Sequence, residues 1–430
     1  MYKQIRKEGM PTVTLDTGRL FGHNIPVREY SRQASLTHLE AMGMMGYQAA
    51  LLTVDEFRYG LDFLKEALAK AQFTFVSCNL TWRKNGELLA KPYTIIEAGE
   101  MKVGVIGVSA DQDYSVPFKT PEGQPKQDDE VLDVLQEVKV LDPFESVGRA
   151  LHELEGKASP IIVLSSLRDE DNPKLAQQYP QINVILTDTK LDDLIRKEYE
   201  KLPEGQRGPW PMYLKQGDTY IVQGSRTVLG QMIGRLDVTF AQGKVTTLMP
   251  LWLQLKEDTA DDPQVRALLA KFYQRVAKDE NLQTPGKPIF GSNKVDSDPR
   301  NAYVGSGQCE QCHAAQEQQW RRTNHADAFR ALVRRVPPAY YMPDCVICHT
   351  VGFGRPSGFT VARMQTDLRG VGCEVCHGPG KKHLAKPAKS NIRRTLTKQQ
   401  CAECHTPEQM VGKPKTFDEL YPEYLKQIKH

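Results

Sequence analysis

Between residues 309 and 405 one five-residue pattern occurs four times, and it constrains this chain more than any other feature. The copies are Cys309-Glu-Gln-Cys312-His313, Cys345-Val-Ile-Cys348-His349, Cys373-Glu-Val-Cys376-His377 and Cys401-Ala-Glu-Cys404-His405. Cys-x-x-Cys-His is the signature of covalent c-type haem attachment. Two thiols three positions apart reach the two vinyl groups of one porphyrin, and the next residue supplies the imidazole beneath the iron. Paired Cys-x-x-Cys also builds zinc ribbons, and spaced cysteines build disulfide frameworks in short secreted chains. Neither alternative gives a reason for a histidine directly after every pair. The expectation is four haem c groups, with His313, His349, His377 and His405 as proximal iron ligands. The ninth cysteine, Cys78, stands in an apolar run and reads as core packing.

An iron held by one imidazole has an open face. Outside the patterns the same region holds three histidines, His325, His383 and His430. That count predicts three bis-histidine irons and one that is open or otherwise filled, with Met342 a thioether candidate. His23, His38 and His152 lie earlier in the chain and read as ordinary surface or core residues.

Several stretches resemble the tetrahaem cytochrome c-554 family. They are Tyr303-Val-Gly-Ser-Gly-Gln-Cys-Glu-Gln-Cys-His313 with Trp320-Arg-Arg-Thr-Asn-His325, Cys348-His-Thr-Val-Gly-Phe-Gly354, Gly370-Val-Gly-Cys-Glu-Val-Cys-His-Gly-Pro-Gly380 before Lys-Lys-His383, and Cys404-His-Thr-Pro407 with Ile428-Lys-His430. The resemblance covers about residues 302–430. It implies distal-ligand roles for His325, His383 and His430, and it implies that the haem on His349 is the open one. So short a region cannot build a large ordinary core, so the porphyrins are expected to form much of it and to lie close together. Gly352, Gly354 and Gly380 are expected to let backbone approach the haem planes.

Covalent haem requires an oxidising compartment outside the cytoplasm, so a periplasmic or cell-surface location in a bacterium is expected. No run of 18 apolar residues occurs, which argues against a transmembrane span. No export signal opens the chain, and the expectation is that a leader was removed or that the sequence begins inside a longer product. Residues 301–430 hold 19 Lys and Arg against 11 Asp and Glu. A basic third could bind nucleic acid, but no nucleic-acid fold signature accompanies it. Compensation of haem propionates is the preferred reading.

Residues 1–258 alternate between β-rich runs and amphipathic helical stretches. The runs are 12–16, 49–54, 73–77, 102–108, 160–165, 183–187, 219–223 and 235–240; helices are read at 60–71 and 143–155. Such alternation predicts a layered α/β domain. The order of segments resembles the metallophosphoesterase domain of the 5′-nucleotidase family. Its D-x-G-D turn would fall on Asp16-Thr-Gly-Arg19, and its G-N-H-E motif on Thr53-Val-Asp-Glu56, followed by Phe57 and Tyr59-Gly60. Its later ligands would fall on Ser166 and on Asp188-Thr-Lys-Leu191. The family's opening D-x-H strand has no counterpart here. The resemblance thus implies a scaffold that has lost its metal ligands, and phosphohydrolase activity is not expected.

Asp261-Asp-Pro263 reads as a helix start, with Val265, Leu268, Leu269, Phe272 and Val276 on one face. The Pro/Gly/Ser/Asp-rich stretch that follows reads as a linker. The predicted organisation is an α/β domain at 1–258, a connecting helix and linker at 259–300, and a mostly helical or irregular multihaem domain at 301–430. Electron transfer to and from redox partner proteins is the expected function, with a docking or assembly role for the α/β domain. A homo-oligomer or a complex with other cytochromes fits this reading. The alternative is a haem enzyme acting on a small nitrogen or sulfur compound at the open iron, with Arg355, Arg363 and Arg369 favouring an anion there.

Overall fold

The computed structural model describes residues 1–21, 27–110, 136–189, 191–201, 212–223, 232–255, 259–285, 298, 300–335, 338–405 and 417–428. Contacts divide the chain into two compact units. One comprises Met1–Gly22, Ser35–Lys119 and Gln124–Val265; the other comprises His23–Ala34, Thr120–Gly123 and Arg266–His430.

The first unit is built from a three-stranded and a six-stranded sheet, with two further two-stranded pairs. Helix α1 (Tyr2–Lys7) precedes β1 (Leu15–Asp16), α2 (Arg28–Met45) precedes β2 (Ala49–Leu51), and α3 (Leu61–Lys70) precedes β3 (Thr74–Val76). These strands pair in parallel in the order β1-β2-β3. A short antiparallel pair follows, β4 (Leu80–Trp82) with β7 (Val138–Val140). The larger sheet uses β5 (Tyr93–Ala98), β6 (Met101–Val108), β8 (Ile161–Ser165), β9 (Val184–Thr187), β10 (Tyr213–Gln216) and β11 (Thr219–Gln223). Its order is β10-β11-β9-β8-β6-β5, with the four inner strands parallel and both edge strands antiparallel. Helices α4 (Pro143–Leu154), α5 (Asp171–Gln178) and α6 (Asp192–Lys201) connect its strands.

Side-chain alternation explains the layering. Along β6, Val103 and Val105 join Ala49, Leu51 and Val76 of the smaller sheet in one core. Ile106 and Val108 point the other way, against Val147, Leu151 and Leu154 of α4. A strand buried on both faces reads as one apolar run, as this one does. Gly107 marks where the sheets approach most closely, since a Cβ there would sit 2.2 Å from the Val76 carbonyl oxygen. On the far side of the smaller sheet, Leu39 and Met42 of α2 and Phe63 and Leu64 of α3 cover Ala50, Leu52 and Phe75. Helix α4 starts where its sequence says it should, with Asp142 Oδ1 accepting from Glu145 N at 2.8 Å and Pro143 in the first turn. A hairpin closes the unit, β12 (Met232–Ala241) with β13 (Lys244–Gln254). Gln242 and Gly243, both at positive φ, make its two-residue turn.

The second unit is helical. It contains most of α7 (Pro263–Lys278), then α8 (Ser306–Trp320), α9 (Asn324–Arg334), α10 (Pro343–His349), α11 (Cys373–His377), α12 (Lys381–Ala385), α13 (Lys398–Ala402) and α14 (Phe417–Ile428). Its apolar core joins Val27 and Tyr30 to Phe272, Val276, Phe329, Leu332, Met342, Val346, Phe353 and Phe359. Of the stripe read on α7, Phe272 and Val276 are buried while Leu269 is exposed. Residues 286–297 of the linker stretch, His23 and His430 lie outside the described residues. Among the described residues no helix is long and apolar enough to cross a membrane.

Candidate haem site and the degenerate metal site

All four Cys-x-x-Cys-His patterns fall on or at the end of a short helix. The first lies within α8, where His313 leaves helical geometry at φ −124° and ψ 45°. The second ends α10, the third makes up α11, and the fourth runs from α13 into the residues after it. Helical spacing puts the two thiols of each pair on one face. Distant patterns also meet: the Cys309 thiol lies near that of Cys373, and the Cys348 thiol near that of Cys404.

The histidines are oriented by backbone carbonyls. His349 Nδ1 lies 2.6 Å from the Ala328 oxygen, and His377 Nδ1 lies 2.7 Å from the Arg393 oxygen. His383 Nδ1 is 3.2 Å from the Ala388 oxygen. A donated Nδ1–H fixes the tautomer that leaves the Nε2 lone pair for a metal. Burial lowers the pKa of His325.

Two imidazole pairs face each other. His313 and His383 have ring centroids 6.4 Å apart and planes inclined by 23°. His325 and His405 are 6.1 Å apart at 54°. A metal-bound imidazole nitrogen lies about 2 Å from the metal and about 1 Å from its ring centre, so rings on opposite sides of one metal are about 6 Å apart. The rings and thiols therefore fit haem iron, and the spacing matches both sides of two irons. Among the described residues no imidazole faces His349. Met342 is buried among Val346, Phe353 and Phe359 as the residue before α10. Arg369 donates to the Met364 oxygen and lies over the Phe329 ring.

A buried carboxylate clasps this region. Glu374, inside the third pattern, accepts from Gly305 N at 2.7 Å, Gly380 N at 2.7 Å and Val304 N at 3.0 Å. Burial raises its pKa against these three donors. The role of Gly380 is to admit this carboxylate, and that of Gly352 is to admit the Tyr303 ring, which a Cβ would meet at 2.5 Å.

In the first unit the positions matched to metal ligands converge on a guanidinium. Arg19 Nε lies 2.6 Å from Asp188 Oδ2 and 3.2 Å from Asp55 Oδ2. Asp16 accepts from Gly18 N at 2.9 Å, and burial pushes its pKa up to about 6. Burial likewise pushes Asp188 up to about 6 against the pull of Arg19. Glu56 is fully buried and accepts from Leu20 N at 2.6 Å, Thr53 N at 2.8 Å and Thr53 Oγ1 at 2.6 Å, tying the Arg19 turn to the loop after β2. Ser166 Oγ accepts from Ala110 N at 3.0 Å. A two-metal centre needs its ligands around ions about 4 Å apart. Among the described residues no three His, Cys, Asp or Glu side chains are arranged for a metal. These residues do not fit the two-metal centre.

Residues 308–378 match the family of cytochrome c554 and c-prime. The cytochrome c554-like region is also 34% identical to cytochrome c-554 of Nitrosomonas europaea over 134 residues, covering 24% of this chain and 57% of that protein. The chain is also similar to the protein UshA of Yersinia enterocolitica, 23% identical over 320 residues and covering 71% of this chain and 54% of that one. The chain thus spans just over half the length of these relatives. Among solved structures, the 5′-nucleotidase precursor of Thermus thermophilus aligns with a TM-score of 0.49 at 24% identity, covering 67% of this chain and 54% of that chain. The chain therefore joins a 5′-nucleotidase-like α/β part to a cytochrome c554-like helical part.

The sequence named the cysteines and histidines that the structure brings together. It did not anticipate the Glu374 clasp or the Arg19 ion pairs. Arg19 was visible as a lost ligand, and the adjacent aspartates were the available sign of a pairing.

Proposed function

We propose that the chain is an extracytoplasmic electron carrier with four haem c groups, and that its α/β unit has no hydrolytic activity and serves docking or assembly. The facing pairs His313–His383 and His325–His405 carry this reading, since each pair is spaced so that its two imidazoles would hold one iron between them. Haem would be held by Cys309 and Cys312, Cys345 and Cys348, Cys373 and Cys376, and Cys401 and Cys404. His313, His349, His377 and His405 would be proximal ligands, and His383 and His325 distal to the first and fourth. His430 is left for His377. Bound haem supplies one-electron chemistry. The chain's part is to hold it and tune it: carbonyls at Ala328 and Arg393 draw on Nδ1–H and make Nε2 a stronger donor, and bis-imidazole ligation keeps potentials below those of His/Met cytochromes. The bare helices α12 and α13, with no buried residue, are surfaces a porphyrin would cover.

The absence of a facing imidazole at His349 among the described residues favours a second reading, a haem enzyme acting on a small nitrogen or sulfur compound. Intact mass of protein matured in its native host tests the first claim: four added haems are expected, and none would end it. Electron paramagnetic resonance separates the readings. A high-spin ferric signal that shifts with nitrite, hydroxylamine or sulfite favours the enzyme, and four low-spin haems exclude it.

A further inference from the structure

We propose that the Arg19 guanidinium is a tethered replacement for a metal ion, neutralising Asp55 and Asp188 and closing their site to divalent cations. The two carboxylates come from separate places in the chain, the segment after β2 and the loop after β9. The Asp188 side chain is 9% exposed, and neither of its oxygens accepts a hydrogen bond. A carboxylate so placed depends on a nearby cation, and among the described residues Arg19 supplies it at 2.6 Å.

The backbone is built to deliver that cation. Arg19 sits at φ 63°, a left-handed conformation that a residue with a side chain adopts only where its surroundings hold it. Gly18 before it, at φ 92°, is pressed against the Leu51 carbonyl oxygen, 2.9 Å from where a Cβ would be. Glu56 accepts from Leu20 N on the other side of Arg19. The turn is thereby fixed on both flanks, and its side chain is aimed between Asp55 and Asp188. Arg19 is still 45% exposed, so a solvated ion could reach the carboxylates if the guanidinium were absent.

The test uses the full-length haem-loaded protein and Mn2+ as the probe, with free Mn2+ read by electron paramagnetic resonance. Unfolding is followed by far-ultraviolet circular dichroism and haem retention by the Soret band. The wild type is expected to take up no Mn2+, and its thermal midpoint to be the same in EDTA and in MnCl2. Arg19→Ala is expected to lower the midpoint in EDTA by roughly 5 °C, to bind Mn2+, and to recover the loss when Mn2+ is present. Should that variant not fold, Arg19→Ala combined with Asp188→Asn is expected to fold, because the unpaired buried charge is then gone. Arg19→Lys keeps the charge and is expected to stay closed to Mn2+. Uptake of Mn2+ by the wild type, an Arg19→Ala variant of unchanged stability, or no gain from adding Asp188→Asn would each overturn the proposal.

Discussion

Replacing Glu374 with alanine is expected to destabilise the cytochrome c554-like region by about 3 kcal/mol, and the structure supplies the arithmetic. The carboxylate accepts from the backbone N–H groups of Val304, Gly305 and Gly380; the bonds to Gly305 and Gly380 are buried and that to Val304 is partly so. A buried donor stripped of its acceptor costs about 1–3 kcal/mol, so two buried donors and one partial one lose roughly 3–6 kcal/mol. Removing a desolvated carboxylate returns part of that, which leaves about 3 kcal/mol out of a total of about 5–15 for a typical domain. The measurement is a guanidinium titration of the full-length protein, followed by circular dichroism and the Soret band. Glu310→Ala is the control. Glu310 holds the same place in the first pattern, but it is half exposed and meets Arg321 at 3.4 Å. Its removal is expected to cost less than about 0.5 kcal/mol. If the two variants unfold together, or if Glu374→Ala costs under about 0.5 kcal/mol, the clasp does not hold this region.

Three further outcomes are expected. His383→Ala should convert one low-spin haem to a high-spin ferric signal while all covalent haem is retained; an unchanged spectrum would place another ligand opposite His313. Gly107→Ala should lower the stability of the α/β unit by about 3 kcal/mol or more, because its Cβ would lie 2.2 Å from a backbone oxygen that cannot move without parting the sheets; a shift below about 1 kcal/mol would contradict that. Burial holds Glu56 near 7 and Asp16 and Asp188 near 6, each above its ordinary value. The folded state therefore binds more protons than the unfolded one between about pH 4 and 7, and its stability falls as pH rises through that window. The thermal midpoint of the α/β unit should drop between about pH 4 and 7, and Glu56→Gln should flatten the part near 7; a midpoint that climbs would refute this.

The parts legible in the sequence are those with local causes. Haem attachment imposes its spacing on five consecutive residues, so all four patterns could be read without any knowledge of the fold. The run at 160–165 became β8 and that at 102–108 became β6, because a strand buried on both faces is apolar throughout. Edge strands were less visible: β5 alternates with exposed Ile95 and Glu97, and β13 interleaves Lys, Thr and Pro with its apolar residues. The run at 12–16 shrank to Leu15–Asp16, since β1 has only a short partner in β2. Pairings over long separations left no local trace. Nothing near His383 announces that it faces His313, and nothing in Cys-Glu-Val-Cys distinguishes Glu374 from Glu310. Arg19 could be read as a missing ligand, but its new partnership needed Asp188, which another strand delivers.

The facing of His313 by His383 bears on the order in which the protein can be finished. A chain emerging amino end first exposes Cys309, Cys312 and His313 well before His383 exists, and His325 waits longer still for His405. The contacts Cys309–Cys373 and Cys348–Cys404 impose the same delay. On the proposed ligation, the earliest attachment point could be loaded from the start but would lack its second imidazole until synthesis had passed residue 383. On the same ligation, maturation of this region would be gated by the arrival of its own later residues, and a truncation that removes His383 would leave the iron on His313 without its second imidazole.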